Sequence, residues 1–280
     1  MAKISIITAI HNGLPFNKIY ADYLKKYTFN PYELIIIDNV STDGSAEFFE
    51  EQGAVVIKNK ENYSYPRSQN QGIDAARTDY LFFLNNDIIV SPQWDKRLID
   101  AAELHGLDII SAKGIENMGN KKESVSFDHK WKRIKNPLMM LGGGERNLRN
   151  MHKLMYGNWE KFCEDQFEKY GLEVAEGILG NNVMIRKAAL QKIGLWDESQ
   201  QAADFDLFMR TKKRAMQHHD IKPCQIALGV YIHHYIRMTL KYSTKPKPFA
   251  DKDSLIPLSA KWTKEELDFL HPDNQTIRKI

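Results

Sequence analysis

The first third of the chain alternates short apolar runs with segments of helical periodicity. Four runs rich in β-branched or aromatic residues have the length of buried strands. They are KISIITAI (3–10), ELIIIDN (33–39), AVVIKN (54–59) and YLFFL (80–84). Helical patterns follow the first three runs, at residues 15–28, in STDGSAEFFEEQG and at residues 68–79. This alternation is typical of βαβ units, so we predict an α/β fold with a Rossmann-like, mostly parallel central sheet flanked by helices.

The rest of the chain predicts a less regular arrangement. Residues 113–150 contain KGIENMGNKKESVSFDHKWKRIKNP and a glycine triplet, and we expect a long irregular insertion with little core of its own. Four prolines within residues 245–280 favour a tail that lies over the domain. Other expected elements are a helix within 151–170, a strand and then a helix ended by Gly194 within 181–198, a helix at 204–216 and a strand at 225–235.

Composition and charge limit the classes of function. The chain has 280 residues, of which 42% are hydrophobic and 27% charged, as in an ordinary globular protein that buries a sizeable core. The net charge of +3, with both signs interspersed, argues against a nucleic-acid partner. Because Cys163 and Cys224 are the two cysteines, no disulfide framework is expected and a reducing compartment is indicated.

The sequence shows neither a targeting signal nor a membrane-spanning signal. The N-terminal MAKISIITAI enters a strand pattern directly, without a charged leader, a long apolar region and a cleavage site. No apolar stretch approaches the roughly 20 residues that a spanning helix needs. We expect a cytoplasmic protein, and peripheral contact with the inner face of the membrane stays open.

Short polar side chains follow three of the predicted strands. The carboxyl ends of parallel strands share one edge of a sheet, and ligands bind at that edge. Asn12 comes after the first strand, Asp38 lies at the end of the second, and Asn85, Asn86 and Asp87 follow the strand at 80–84. Each set alone could be a turn or a helix cap. Together they offer donors and acceptors for ribose hydroxyls, a base edge and a hydrated cation.

The sequence lacks a glycine-rich phosphate-binding loop. Neither G-x-x-x-x-G-K-[ST] nor G-x-G-x-x-G follows the first strand. A bound diphosphate would therefore be neutralised by a divalent cation that few protein ligands hold. Asp87 is placed for that role, and an oxygen-rich site of this kind suits Mg²⁺ or Mn²⁺.

Four stretches of the chain resemble the family 2 glycosyltransferases of the GT-A fold. They are SIITAIHNG, ELIIIDNVSTDGS and NQGIDAARTDYLFFLNNDIIV in the first half and GNNVMIRKAALQKIGLWDESQQAADFDLFMR in the second. The resemblance covers residues 3–235. It implies a single domain with a nucleotide-sugar-binding half at 1–110, an acceptor-binding and catalytic half at 111–240, and a C-terminal extension at 241–280.

The resemblance implies roles for the residues at the strand ends. Asp87 aligns with the last acidic residue of the family's metal motif, and Asn85 replaces the first aspartate of that motif. Asp38 aligns with the residue that reads the base edge and can read either pyrimidine, uracil or thymine. The expected nucleotide-sugar-binding residues are Thr8, Ile10, Asn12, Asp38, Arg67, Asn70, Asn85, Asn86 and Asp87.

The second half supplies the catalytic and acceptor-side residues that the resemblance implies. Asp204 aligns with the catalytic base, and Ala203 stands where the family has a glutamate. A helix cap is the alternative role for Asp204. Trp196 and Asp197 precede it on the acceptor side, although Trp196 could equally fill the core.

A histidine near the end of the match is expected to complete the metal shell. The stretch YIHHYIRMT (231–239) is similar to the family's His-x-Gly-x-x-[Ser/Thr] segment, in which His234 has the best register and His233 is the rival. A plain strand histidine is the alternative. Thr239 falls where the family has its hydroxyl residue, and Arg237 is expected near the diphosphate.

These implications define the expected function. It is an inverting glycosyltransferase of polysaccharide biosynthesis that uses Mg²⁺ or Mn²⁺ and moves a sugar from a UDP- or dTDP-linked donor to a glycan, lipid-linked or protein acceptor. A nucleotidyltransferase is one alternative, but its first loop is rich in glycine and basic residues, and TAIHNGLPFNK is poor in both. A non-catalytic nucleotide-sugar-binding or scaffold protein is the other, motivated by Ala203 and the Asn85–Asn86 pair. The sequence does not indicate an oligomeric state.

Overall fold

A computed structural model describes residues 3–236, 238 and 247–270. Within these residues the strands are β1 (Ile4–Ile10), β2 (Tyr32–Asp38), β3 (Val55–Lys58), β4 (Tyr80–Leu84), β5 (Ile88–Ile89), β6 (Ile109–Lys113), β7 (Val174–Glu176), β8 (Asn182–Arg186), β9 (Gln225–Tyr231) and β10 (His233–His234). The helices are α1 (Leu14–Tyr27), α2 (Ser45–Glu51), α3 (Tyr65–Ala75), α4 (Trp94–His105), α5 (Lys121–Leu138), α6 (Glu145–Tyr156), α7 (Trp159–Tyr170), α8 (Leu190–Ile193), α9 (Ala203–His218), α10 (Leu258–Lys261) and α11 (Lys264–Leu270).

One large sheet runs through the molecule in the strand order β3-β2-β1-β4-β8-β6-β9-β7. The strands β3, β2, β1 and β4 are parallel, and so are β6 and β9. The strand β8 is antiparallel to β4 and to β6, and β7 is antiparallel to β9. The predicted α/β fold with a mostly parallel sheet is confirmed, with β8 as its main antiparallel member.

The side chains of β1 alternate between two apolar layers on opposite faces of the sheet. Ile6 packs in the layer that contains Phe16 of α1, whereas Ile7 packs in the layer that contains Ile73 of α3. The approach of α3 to β1 requires a glycine, because a Cβ added at Gly72 would lie 2.2 Å from Cγ2 of Ile7. This packing fixes the carboxyl ends of the strands against the helices that follow them.

The expectation of an irregular insertion at residues 113–150 is wrong. After β6 the chain forms the two helices α5 and α6, joined by a 3₁₀ turn at Met139–Leu141. Both helices contribute to the main core, through the buried side chains of Trp131 and Leu148. The apolar residues do recur at helical spacing, but lysine and arginine residues surround them and hide the pattern. The recurring residues are Phe127, Trp131, Ile134 and Leu138.

Three further expectations need correction. The single helix within 151–170 is two helices, α6 and α7, separated at Gly157, which has a φ of 69°. The helix expected at 68–79 begins at Tyr65 and ends at Ala75. The strand expected at 225–235 is divided into β9 and β10, and β10 leaves the large sheet to pair with β5. The elements α4, β6 and β7 have no counterpart among the predictions.

The described C-terminal residues 247–270 pack against the domain and form short helices. Trp262 is buried in the layer on the α9 side, and its Nε1 donates a hydrogen bond of 2.9 Å to Oδ1 of Asp206. Ile256 pairs with the chain at Gln200, in a short parallel bridge. Among the described residues, no helix has the length and the apolar character needed to cross a membrane.

Candidate active site

The loops after β1 and β2 are tied together by Asn12. Its backbone has a φ of 58°, in the left-handed region, and its N–H donates to Oγ of Ser41 at 2.8 Å. Its side-chain Oδ1 accepts a hydrogen bond of 2.7 Å from the N–H of Thr42. Asp38, at the end of β2, is buried, and its Oδ1 accepts a hydrogen bond of 3.2 Å from the N–H of Ser41. These hydrogen bonds hold the loops after β1 and β2 against each other.

The loop after β4 joins this structure through α1. Asn86 donates from Nδ2 to Oδ1 of the fully buried Asn17, at 2.7 Å. Asn17 in turn donates to Oγ of Ser45, at the start of α2, at 2.8 Å. Three of the polar strand ends that the sequence predicts to converge are therefore linked by hydrogen bonds.

The two-stranded sheet brings His234 beside Asp87. His234 of β10 pairs with Ile88 of β5, and the N–H of Tyr235 donates to the backbone oxygen of Asp87 at 2.9 Å. Nε2 of His234 lies 3.3 Å from Oδ1 of Asp87. The neighbouring His233 is fully buried and hydrogen-bonded through Nδ1 to the hydroxyl of Tyr156, so His234 is the histidine that lies at the site.

Glu116 completes a charged group around His234. Its carboxylate contacts Nδ1 of His234, and it accepts a hydrogen bond of 3.2 Å from Nδ2 of Asn181. Burial by itself would lower the pKa of His234. The carboxylates of Asp87 and Glu116 outweigh that effect and raise the pKa of His234 to about 10.

The donor set at Asp87 and His234 fits a divalent cation. Two ligands at adjacent positions of an octahedral Mg²⁺ or Mn²⁺ shell lie about 3 Å apart, since each is about 2.1 Å from the ion. The 3.3 Å between Nε2 of His234 and Oδ1 of Asp87 is close to that separation. Within the described residues, no group of three or more His, Cys, Asp or Glu side chains is arranged to hold an ion. A cation here would take its remaining ligands from a substrate and from water.

Asp204 lies in the first turn of α9, against the backbone of Gly180. A Cβ added at Gly180 would lie 2.2 Å from Oδ2 of Asp204, so no other residue fits there without a shift. Burial raises the pKa of the Asp204 carboxyl, and the backbone N–H groups of Phe205 and Asp204 offset part of that rise. The hydroxyl of Tyr65 donates to the carbonyl oxygen of Gly180 at 3.3 Å.

One cavity of about 420 Å³ contains both groups, and we call it the central cavity. Asp204 lines it together with Asn85, which follows β4, and with His234. The expected catalytic base and one of the two expected metal ligands, His234, therefore border the same space, and the His234 imidazole contacts the other ligand, Asp87. The other polar side chains that line it are Tyr65, Glu116, Asn181 and Gln201.

A second cavity of about 260 Å³ adjoins the first and shares Tyr65 and Gln201 with it. The C-terminal segment forms part of its wall, through Phe249 and Lys252. Gln200 also lines it, and both polar atoms of that buried side chain have no hydrogen-bond partner among the residues that the structure describes.

Several residues expected at the site point elsewhere. Thr8 and Ile10 are buried on the α1 face of β1, and Oγ1 of Thr8 shares a hydrogen bond of 2.6 Å with the hydroxyl of Tyr20. Asn70 is buried and donates to the backbone oxygen of Trp196 at 2.9 Å. Trp196 is buried against the rings of Tyr65 and Phe83, in agreement with the core-filling alternative. Their positions favour structural roles for all four side chains.

Arg67 and Asp197 also lie outside both cavities, as do the strand-end residues Asn12, Asp38, Asn86 and Asp87. The guanidinium of Arg67 stacks on the ring of Tyr63, 3.9 Å from its centroid. Asp197 accepts from Lys261 at 2.6 Å and thereby ties the chain before α9 to α10. Arg237 and Thr239 lie outside the described residues.

The sequence reasoning missed Tyr65, Glu116 and Gly180, all of which line the central cavity. Gly180 stands in the stretch GNNVMIR, where its position before a strand was the available signal. Glu116 lies in a polar stretch without periodicity, and Tyr65 precedes the predicted helix. Neither carries a local signal, because each is brought to the site by the fold.

Comparisons with known proteins bear on the family and the fold of the chain. The model of the family described as Glycosyl transferase family 2 matches residues 5–194 of the chain. The curated protein named "Uncharacterized glycosyltransferase EpsJ", from Bacillus subtilis (strain 168), is 31% identical over 111 residues. That match covers 38% of this chain and 32% of EpsJ, so the chain spans about a third of that relative.

Solved structures of similar fold include two enzymes with bound ligands. Mannosyltransferase PcManGT from Pyrobaculum calidifontis, in complex with GDP-Man and Mn²⁺, has a TM-score of 0.54 and 12% identity, over 84% of this chain and 57% of its own. S. aureus TarS 1-349, in complex with UDP, has a TM-score of 0.52 and 14% identity, over 82% of this chain and 60% of its own. At these identities the similarity shows the fold alone, which is that of the GT-A glycosyltransferases.

Proposed function

The chain belongs to glycosyl transferase family 2, and we propose that it is a glycosyltransferase that transfers a sugar with inversion from a nucleoside-diphosphate sugar. The proposed donor carries UDP or dTDP, and the proposed acceptor is a glycan, a lipid-linked glycan or a protein. The observation that carries the proposal is the central cavity, which Asp204 borders together with Asn85 and His234. A donor sugar between these groups would present its anomeric carbon to an acceptor activated by Asp204.

In the proposed reaction, Asp204 is the general base. Its carboxylate takes the proton of the acceptor hydroxyl as that oxygen attacks the anomeric carbon and the bond from this carbon to the diphosphate oxygen breaks. The proton ends on Asp204, and the electron pair of the broken bond leaves with the nucleoside diphosphate. A pKa raised by burial makes the Asp204 carboxylate a stronger base than an ordinary aspartate.

The nucleotide is proposed to bind at the linked strand ends. Asp38 would accept a hydrogen bond from the N3–H of uracil or thymine, and Asn12 would hold the loop around it. Asn85 and Asn86 would lie near the ribose and the sugar. The UDP bound to TarS and the GDP-Man bound to PcManGT are consistent with a nucleotide-sugar donor.

Asp87 and His234 are the residues that would hold Mg²⁺ or Mn²⁺. The bound ion would neutralise the charge of the diphosphate as it departs. To act as a ligand through Nε2, His234 must release its Nε2 proton to bulk water, while Nδ1 keeps its proton and donates it to the Glu116 carboxylate. The Mn²⁺ in PcManGT supports a divalent ion without identifying which one this chain uses.

The acceptor is proposed to enter beside the C-terminal segment. The second cavity shares Tyr65 and Gln201 with the central cavity that Asp204 lines, and Lys252 and Phe249 contribute a charge and an aromatic ring to its wall. A lipid-linked acceptor would be met at a membrane surface, so peripheral contact with the membrane is part of this proposal. A cytoplasmic location is also part of it, in agreement with free and buried Cys163 and Cys224.

The test is a turnover assay with a panel of UDP- and dTDP-linked sugars and Mn²⁺, read as release of free nucleoside diphosphate. Asp204→Asn should lower kcat by about 10²–10⁴-fold, the usual contribution of a general base, and should keep the affinity for UDP. Asp74→Asn is the matched control, since Asp74 is an exposed aspartate of α3. Full turnover by Asp204→Asn would overturn the role of Asp204. Nucleotide binding without turnover by any donor would favour the non-catalytic alternative.

A further inference from the structure

The turn between α5 and α6 presents two adjacent apolar side chains to solvent. Met140 is 89% exposed and Leu141 is 73% exposed. Single exposed apolar residues are common on protein surfaces, but a pair of this exposure at a projecting turn indicates a contact surface. We call residues 121–156 the α5–α6 hairpin and Met139–Leu141 its tip.

The tip is held in place by the rest of the hairpin. Nδ2 of Asn147, in α6, donates to the carbonyl oxygens of Leu138 and Gly142, both at 2.7 Å. The two helices are anchored in the core by buried Trp131 and Leu148. The exposure of Met140 is therefore a property of a packed hairpin, because both sides of the turn are tied to the same asparagine.

The hairpin is strongly basic, whereas the rest of the chain is not. Residues 121–153 contain nine Lys and Arg against three Asp and Glu, while the whole chain has a net charge of +3. The remainder of the chain is therefore net negative. Arg133 and Arg146 are exposed on the two helices that flank the tip. Six of the nine basic residues lie within ten positions of the tip along the chain, against one acidic residue, Glu145, although Lys132 and Arg149 are paired with carboxylates.

We propose that the α5–α6 hairpin docks the protein on an anionic membrane surface, with Met140 and Leu141 entering the interface between headgroups and acyl chains. Apolar side chains that project from a basic surface are the features that bind proteins to anionic bilayers. A protein partner fits less well, since a specific interface buries roughly 800 Å² per partner and two side chains supply a small part of that. This inference rests on the membrane contact of the proposed function and assigns it to one surface, but vesicle binding can be measured without sugar transfer.

Docking at the tip would fix the position of the central cavity relative to the membrane. Glu116, which lines that cavity, lies five residues before the start of α5. The helix α5 has 18 residues and is therefore about 27 Å long. One anchored helix thus connects the rim of the cavity to the proposed contact.

Vesicle sedimentation tests the proposal with the full chain. The vesicles are an equimolar mixture of phosphatidylglycerol and phosphatidylcholine, compared with phosphatidylcholine alone. We expect binding to the anionic vesicles that weakens as salt is added, because the attraction is partly electrostatic. Two double variants test the hairpin: Met140→Asp with Leu141→Asp, and Arg133→Glu with Arg146→Glu. Each should weaken binding by roughly tenfold or more, since one charge near the membrane surface changes the affinity by about fivefold.

Matched controls separate the hairpin from general effects. Leu104→Asp replaces an apolar residue that is 66% exposed on α4, and Lys60→Glu with Lys264→Glu reverses two exposed charges elsewhere. These controls should bind like the unchanged chain, and circular dichroism should show that every variant is folded. The proposal is overturned if the unchanged chain does not bind anionic vesicles, or if both hairpin variants bind them as tightly as the unchanged chain. Light scattering covers the remaining outcome. If the chain is a dimer that becomes a monomer in the variant Met140→Asp with Leu141→Asp, and no vesicle binding is seen, the tip contacts a second copy of the chain and the proposal is also overturned.

Discussion

The contact between Asp204 and Gly180 shows how much a single residue decides at this site. The aspartate is identifiable from the sequence, because a carboxylate at the start of a helix matches a known motif. The glycine is not, because its importance depends on the 2.2 Å that would separate a new Cβ from Oδ2 of Asp204. The alternation of side chains along β1 is a second feature that the sequence analysis did not take into account. Thr8 and Ile10 share the parity of Ile6 in β1 and therefore point into the core.

Gly180→Ala should disturb catalysis more than stability. The new methyl group must push the Asp204 carboxylate out of position, and a misplacement of about 1 Å can cost roughly 10²-fold in rate. We expect kcat to fall by about that factor in the nucleoside-diphosphate release assay. Gly144→Ala is the control, since its Cβ would meet nothing within 4 Å and should leave kcat unchanged. Equal kcat for the two variants would contradict the argument.

Burial raises the pKa of Asp204, and the raised pKa predicts opposite pH dependences for kcat and for the stability of the fold. Catalysis needs the ionised carboxylate, so kcat should fall on acidification at a pH above that of an ordinary aspartate, roughly 3.9. Stability changes the other way. The raised folded pKa means that ionised Asp204 costs folding free energy, a cost that is absent below the unfolded pKa of roughly 3.9, grows as pH rises from there and is complete above the folded pKa. Asp204→Asn should therefore raise Tm at pH 7. An acidic limb near 3.9 in the pH profile of kcat would contradict this.

At the scale of elements, the site depends on how neighbouring loops and the small sheet are joined. The first four strands and the helices between them follow from periodicity, because each is short and locally patterned. The hairpin α5–α6 was missed because basic residues surround its apolar stripe. The division of β9 from β10 was missed because the apolar run is continuous through Ile232. Yet β10 is the element that carries His234 to Asp87.

The hydrogen bond between Asn86 and Asn17 should couple the loop after β4 to α1. A double-mutant cycle of Asn86→Ala and Asn17→Ala should give a coupling free energy of about 0.5–1.5 kcal/mol in urea unfolding, the usual net value of such a bond. Asn86→Ala should also raise the KM for the nucleotide sugar. A cycle of Asn86→Ala with the distant Asn158→Ala should be additive, and a coupling equal to that of the first cycle would contradict the link.

At the scale of the whole molecule, one sheet runs through both predicted halves, since β8, β6 and β9 continue the sheet that β1 to β4 begin. The sequence indicates the fold class well, because strand and helix alternation and the family motifs agree. It does not indicate long-range neighbours such as Glu116 and His234, which are 118 positions apart. Those contacts depend on the order of strands in the sheet, and no local pattern specifies that order.

The C-terminal segment should unfold together with the rest of the domain. Trp262→Ala removes a buried ring and the hydrogen bond to Asp206, and we expect a loss of about 3–5 kcal/mol in the free energy of unfolding by urea. Phe269→Ala is the control, because Phe269 is 63% exposed and its loss should cost less than about 0.5 kcal/mol. A separate early transition for the segment, with the main transition unchanged, would contradict this.

The central claim is that Asp204 activates an acceptor on the side of the sugar opposite the departing diphosphate. The anomeric configuration of the first product, followed by proton NMR during turnover, tests it most directly. A single in-line displacement predicts a product with the configuration opposite to that of the donor. A product that keeps the configuration of the donor would contradict the account.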